Sequence, residues 1–361
     1  MTAQTVDDAT APSNLRDRII ADIYHDELYD LIRTIAQSEH IHTILEIGSS
    51  TGQGSTAAFA EGIRENPSQP RLFCIEVVRT LFQELQTRYA NHRQIVCYNG
   101  STVTAAEFPS RDTVVEFYTT VESNLRKYPC EQVLDWYDSN LHYVSTSGLP
   151  CDTITQIKQD YGIDRFDCVL IDGSEFTGRV ELEKVYGATL VLLDDITTFK
   201  NYRSHHDLVA DANYVLLTEN RNLRNGYSLF QRFDAYLKLR RTNLLAFPNW
   251  QQAPDVLYEE LQTIMRILQR HDDRAQITLV LAGEAVVSEE VAEIVHMALM
   301  ELLLADLGDP QPSLEVSLAT DLSAAQWQLL LPQITCRLAL EADDAAAIAA
   351  VGATALPVCP V

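Results

Sequence analysis

Basic residues are scarce in this chain: Lys and Arg total 27 against 51 Asp and Glu, a formal net charge of −24 over 361 residues. So acidic a surface repels phosphate backbones and anionic membranes, so neither nucleic acid nor a lipid surface is an expected partner; a local basic pocket stays compatible with it. The plainest account of the acidity is a well-solvated surface. Closely spaced cysteines are missing too. Cys74, Cys97, Cys130, Cys151, Cys168, Cys336 and Cys359 lie far apart with no CxxC pair, which argues against a disulfide framework and a cysteine-ligated zinc. Four of them (Cys74, Cys97, Cys168 and Cys336) sit in apolar runs, where a buried, reduced thiol is expected. No apolar run approaches the ~20 residues that cross a bilayer, and no N-terminal stretch resembles a secretory signal. The expectation is a reduced, cytoplasmic protein without membrane insertion.

What is present is a regular alternation of short apolar runs and helical periodicities. Residues 1–14 are polar and aperiodic, as in a loose tail. Residues 16–37 carry Ile19, Ile20, Ile23, Leu28, Leu31, Ile32 and Ile35 at helical spacing. Strands are expected at 43–47, 71–77, 94–98, 167–171 and 189–193, with helices at 54–65, 79–90 and 179–186. Two further strands, 214–219 and 226–232, lie close enough to pair around residues 220–225. The pattern predicts an α/β fold: a Rossmann-like, mostly parallel sheet with an antiparallel closing strand. After a helical connector at 234–241 a second, smaller α/β module follows. Its strands are expected at 244–247, 276–281, 313–318 and 335–340, and its helices at 254–269, 288–304, 324–331 and 343–351. The expected domains are therefore 15–241 and 242–361.

The informative loop follows the first strand. TILEI runs into Gly48-Ser-Ser-Thr-Gly52-Gln-Gly54-Ser-Thr56, and a helix comes next. A nucleotide-like ligand at the carboxyl end of a sheet needs close backbone approach, which Gly48, Gly52 and Gly54 permit, while the helix N-terminus offers free N–H groups. On that argument Gly52→Val fills the approach to the ligand.

With Glu46 two residues before Gly48, this stretch fits the ExGxxxGxG motif and resembles class I S-adenosylmethionine-dependent methyltransferases. The resemblance covers roughly residues 25–233 and implies a set of cofactor contacts. Glu46 would lie near the cofactor's amino group, with Gly48, Ser49, Gly52 and Gly54 in its loop. Glu76, ending the second strand, would take the ribose hydroxyls, since a carboxylate accepts from both at once. Gly100 and Ser101 would approach adenine. A rival exists, because Gly52-x-Gly54-x-x-Ala57 formally matches the dinucleotide fingerprint. In that fingerprint the first glycine sits directly at the strand's end, whereas here the strand ends near Ile47. A nicotinamide-dependent oxidoreductase is therefore the less favoured alternative.

Two later strands end in acids, at Asp172 and at Asp194–Asp195. In a parallel sheet both ends reach the edge that carries the glycine loop. Converging carboxylates favour a hard divalent ion. This pattern is similar to the metal-assisted O-methyltransferases of the catechol and macrolide-sugar types. Carried over, Asp172, Asp194 and Asp195 would hold Mg²⁺, which orients an acceptor's hydroxyls and lowers the pKa of one. Asp172 also counts among the catalytic and cofactor-contacting residues. Where those enzymes often carry a basic residue three positions after the metal Asp, this chain has Glu175, the candidate base if its pKa is raised. Lys200, His205 and His206 are alternative bases; for the two histidines a solvated position is the favoured account.

Residues 101–164 form an insert with Phe117, Tyr118, Tyr128, Trp136, Tyr137, His142 and Tyr143, either a substrate lid or its own small core. The last 115 or so residues lack a phosphate loop, a metal cluster or a nucleophile motif; strand-end Glu284 reads as a solvated loop residue. They faintly resemble accessory segments of bacterial glycosyltransferase-like proteins. The chain is thus expected to be an O-methyltransferase of a hydroxylated sugar or small metabolite. A non-catalytic scaffold of glycan-assembly machinery is the alternative, with another copy of the chain or a glycosyltransferase as partner.

Overall fold

The computed structural model describes residues 23–283, 296–298, 300 and 314–360. The expected tail at 1–14, the start of the expected helix 16–37, Glu284 and most of the expected helix 288–304 lie outside them. The chain divides into two compact units, residues 1–209 with 216–230, and residues 210–215 with 231–361.

In the first unit a seven-stranded sheet has the order β3-β2-β1-β4-β5-β7-β6. Its strands are β1 (Thr43–Ile47), β2 (Arg71–Glu76), β3 (Ile95–Asn99), β4 (Cys168–Ile171), β5 (Leu190–Asp194), β6 (Tyr214–Asn220) and β7 (Tyr227–Arg232). Strands β3, β2, β1, β4 and β5 pair in parallel. Residues 221–226 are too few for a parallel crossover, so β6 and β7 form an antiparallel hairpin. The near-continuous apolar runs of β1, β4 and β5 reflect burial on both faces.

Helices α1 (Glu27–Gln37) and α2 (Ser55–Glu65) pack together on one face. The first begins later than its periodicity suggests: Asp26 Oδ1 accepts the Tyr29 N–H at 2.9 Å, and residues 23–26 are not helical. That N-cap ends the helix, whatever the apolar spacing upstream. The connector is likewise helical only over Phe233–Tyr236.

The sheet order reverses between β1 and β4, because β2 and β3 build outward on one side and β5 on the other. Such a switch point splays the following loops apart and opens a crevice at the strands' carboxyl ends.

The second unit has a five-stranded sheet, ordered β10-β9-β8-β11-β12 and parallel throughout. These strands are β8 (Thr242–Ala246), β9 (Ile277–Ala282), β10 (Glu315–Ala319), β11 (Cys336–Ala339) and β12 (Val358–Pro360). Side chains alternate between faces, so Leu244, Leu279 and Leu281 enter one apolar layer while Leu245 and Val280 enter the other. Here one cysteine expectation is corrected. Cys336 and Cys359 are disulfide-bonded across the adjacent strands β11 and β12, with Cα atoms 6.1 Å apart. Their separation in sequence concealed a pairing that sheet registration creates. Cys74 and Cys168 are free and buried, as expected.

Candidate active site

The carboxyl ends of five strands, β1 to β5, and one insert helix surround a cavity of about 370 Å³ at the switch point. Its first wall is the turn after β1. Gly48 adopts φ +90°, and a Cβ there would lie 2.1 Å from the Asp172 carbonyl oxygen. Only glycine lets the ends of β1 and β4 approach so closely. The Gly48 and Ser49 N–H groups donate to the Ile75 carbonyl at 3.0 and 3.1 Å, which ties the turn to β2. Gly48, Ser49, Ser50 and Gly54 all line the cavity.

Glu76 forms the next wall. Its Oε2 accepts the Ser50 N–H at 2.8 Å and its Oε1 the Val78 N–H at 2.6 Å. Burial, only partly opposed by those two bonds, pushes its carboxyl up to about 7. Beyond it, Gly100 and Ser101 line the cavity after β3.

Two residues expected at the cofactor lie outside the cavity lining. Glu46 is fully buried; its oxygens accept the Ser55 and Thr56 hydroxyls at 2.6 and 2.7 Å. It is not among the cavity-lining residues and instead braces the loop against the start of α2. Gly52 also lies outside the lining. Its φ is +76°, and a Cβ would meet Tyr89 Cε2 at 2.6 Å and Leu85 Cδ1 at 2.7 Å. The close approach at Gly52 is thus to α3 (Arg79–Tyr89), whose Tyr89 hydroxyl donates to the Gly52 carbonyl at 2.6 Å. Gly52→Val is expected to act by overpacking this contact at a cost of about 1–3 kcal/mol. A lowered denaturation midpoint is the expected measurement, rather than a selective loss of ligand binding in a fully stable protein.

The acidic strand ends do converge. Oxygens of Asp172, Asp194 and Asp195 lie within 4.8 Å of one another. Each carboxylate already faces a cation of the chain. Lys200 Nζ is 2.7 Å from Asp172 Oδ1 and 2.6 Å from Asp195 Oδ2, and Arg224 Nη2 is 3.3 Å from Asp194 Oδ1. Arg224 also pairs with Asp26. Burial acts to strip Lys200 of its proton, but Asp172, Asp195 and Asp194 overcome it and hold the ammonium well above the ordinary lysine range. For Asp195, burial raises the carboxyl while the Lys200 charge outweighs it, leaving a value below the usual one. Asp172, Asp195 and Lys200 line the cavity; Asp194 does not.

Glu175 lines the cavity as well, with Oε1 accepting the Lys200 backbone N–H at 3.2 Å. Burial, followed by the nearby Asp195 charge, pushes it up to about 7. Of the alternative bases only Lys200 reaches the cavity. His205 is buried, contrary to the solvated position expected of it. Its Nδ1 lies 3.1 Å from Ser228 Oγ, and burial lowers its pKa to about 4. His206 is exposed and outside the lining.

The sequence alone left one contribution unmarked and marked another only through Tyr143 of the aromatic insert. Glu181 in α7 (Gly178–Val185; α4 to α6 are Arg111–Thr120, Cys130–Thr146 and Thr153–Tyr161) is 1% exposed and lines the cavity. Its Oε1 accepts the Thr102 and Thr177 hydroxyls at 2.6 and 2.9 Å; its Oε2 has no hydrogen-bond partner among the described residues. No motif marks a lone glutamate in a helix. The second is a face of α5: Ser139, Asn140, Tyr143 and Val144 line the cavity at helical spacing. Phe117 and Tyr137 are instead buried in the insert's own core with Phe108, Val114 and Val133.

No family model matches the sequence, and no curated protein does. Several solved structures resemble the chain. An O-methyltransferase from Bacillus cereus in complex with SAH is 12% identical, covering 61% of this chain and 86% of that one, with a TM-score of 0.37. A methyltransferase from Geobacter sulfurreducens is 14% identical over 61% and 85% of the two chains, TM-score 0.37. The O-methyltransferase TomG from Streptomyces achromogenes, in complex with SAM, is 15% identical over 60% and 85%, TM-score 0.35. Likeness this remote leaves the chemistry to be read from the site's own residues.

Proposed function

We propose that the first unit is an S-adenosylmethionine-dependent methyltransferase of class I, which methylates a hydroxyl of a sugar or other small molecule. One observation carries this: the ExGxxxGxG turn and the strand-end carboxylate Glu76 are hydrogen-bonded to each other on the wall of a single cavity. Its volume of about 370 Å³ suits a ligand of cofactor size. When bound, S-adenosylmethionine supplies a methyl group made electrophilic by its sulfonium. Glu76 is assigned to the ribose hydroxyls and Gly48, Ser49, Ser50 and Gly54 to close backbone contact. Gly100 and Ser101 are assigned to the adenine side. The α5 face, with Asn140 and Tyr143, is assigned to the acceptor.

Glu175 is assigned as the base. It takes the acceptor's hydroxyl proton as the oxygen forms its bond to the methyl carbon; the sulfur–carbon bond breaks and its electron pair stays on sulfur as a thioether. A nicotinamide site is disfavoured, because the glycine that opens the dinucleotide fingerprint, Gly52, packs on Tyr89 outside the cavity.

Calorimetric titration with S-adenosylmethionine, S-adenosylhomocysteine and NAD tests the assignment. Binding of the first two in roughly the micromolar to millimolar range and none of NAD is expected; silence from both sulfur compounds would overturn the assignment, leaving a nicotinamide-dependent enzyme if NAD binds and a non-catalytic scaffold if it does not. Glu76 adds a pH signature. Ribose hydroxyls donate to the ionised carboxylate, so binding requires the deprotonated form. With a carboxyl near 7, S-adenosylhomocysteine is expected to bind about tenfold more weakly at pH 6 than at pH 8. Glu76→Gln should bind weakly at both values and lose that pH dependence.

A further inference from the structure

A divalent ion shared by Asp172 and Asp195 would have to sit about 2.0–2.6 Å from their oxygens. Lys200 Nζ lies 2.7 Å from Asp172 Oδ1 and 2.6 Å from Asp195 Oδ2, so the ammonium and such an ion claim the same space. The expected Mg²⁺ ligand set therefore does not fit an ion while Lys200 stands there. The third carboxylate is engaged as well, because Asp194 faces Arg224 from the β6–β7 hairpin loop.

Lys200 is held in place from several directions. Its neighbour Asn201 is fully buried and donates from Nδ2 to the Ile171 carbonyl at 2.9 Å and the Asp194 carbonyl at 2.7 Å, joining the carboxyl ends of β4 and β5. The Lys200 N–H donates to Glu175. At the start of α7, Gly178 packs so closely that a Cβ would lie 2.2 Å from the Lys200 carbonyl oxygen. The side chain itself is 9% exposed. A surface lysine that happened to swing over an acidic patch would have none of this support.

We propose that Lys200 takes the place of a divalent ion at the Asp172–Asp194–Asp195 cluster, so that the native protein binds no such ion there. An ammonium has three N–H donors. Two are committed to Asp172 and Asp195, and the third is offered to the acceptor's oxygen in the cavity, holding it beside Glu175. The part that concerns the acceptor rests on the methyl-transfer proposal; exclusion of the ion does not.

The test uses the full chain and Mn²⁺ alone, read by electron paramagnetic resonance of the free ion and by thermal melting. Neither requires a methyl donor, so failure here is separate from failure of the cofactor titration. Native protein is expected to leave Mn²⁺ free at about 100 µM and to melt at an unchanged temperature. Lys200→Met, which empties the position, is expected to bind one Mn²⁺ and to melt several degrees higher with it. Adding Asp172→Asn should abolish that gain. Lys200→Arg keeps a cation and should likewise leave Mn²⁺ free. Where Lys200→Met folds poorly, Lys200→Gln, which removes the charge but keeps a polar side chain, should gain Mn²⁺. Stoichiometric Mn²⁺ binding by native protein, lost in Asp172→Asn, would overturn the proposal. A folded Lys200→Met that ignores Mn²⁺ would overturn it equally.

Discussion

Glu175→Gln is expected to lower the rate of methyl transfer by about 10²–10⁴-fold, the range over which a positioned general base contributes. S-Adenosylhomocysteine affinity should stay within a few-fold, since the glutamate is assigned to the acceptor and not to the cofactor. The pH profile carries the stronger distinction. A base must be ionised to accept a proton, so with a carboxyl near 7 the native rate should climb tenfold per unit below pH 7 and level off above it. The amide variant should lose that limb. Stability should move the other way. A carboxyl raised from an ordinary value near 4.5 to about 7 contributes stability below pH 4.5 that is lost as pH rises through 7. At pH 8 the charged, desolvated carboxylate is a burden, and Glu175→Gln is expected to be neutral or more stable by up to about 3 kcal/mol. A residue that served only the fold would lose stability together with activity.

Gly48→Ala should cause the largest loss of the fold itself. The new methyl would sit 2.1 Å from the Asp172 carbonyl oxygen, in a backbone conformation of φ +90°. Relief requires β1 and β4 to separate at their carboxyl ends, where the loop, Asp172 and the cavity all meet. A cost of about 3–5 kcal/mol is expected, together with loss of S-adenosylhomocysteine binding. Urea unfolding would show a lower midpoint. Gly148→Ala separates the two causes: Gly148 also has positive φ, +66°, but a Cβ there meets nothing within 4 Å. Its penalty should be only the conformational part, about 1 kcal/mol. Equal losses at the two positions would show that the close approach to β4 is unimportant.

The candidate site divides by how far apart its partners lie in the chain. The glycine turn, Glu76 and Asp172 could be recognised because each follows directly on an apolar strand, and a parallel sheet sends every such end to one edge. Local punctuation therefore determined which strand ends line the cavity, and the central strands announced themselves as apolar runs because both faces are covered. Glu175 was legible only through the resemblance, three residues past the strand-end Asp172.

What surrounds those residues was decided by packing. Glu46 reads as a cofactor contact from its motif, yet its neighbours on the incoming helix, Ser55 and Thr56, satisfy both of its oxygens. Gly52 owes its identity to Tyr89 and Leu85 of α3, both more than thirty residues further along the chain. Three carboxylates at one edge spell a metal site to the eye. Only the folded chain brings Lys200 and Arg224 against them, because the loops after β5 and between β6 and β7 return to that edge. Hydrophobic periodicity and strand-end chemistry are local quantities and survive in a linear string. Charge neutralisation depends on distances of 3 Å or so between distant segments, and those exist only once the backbone has closed.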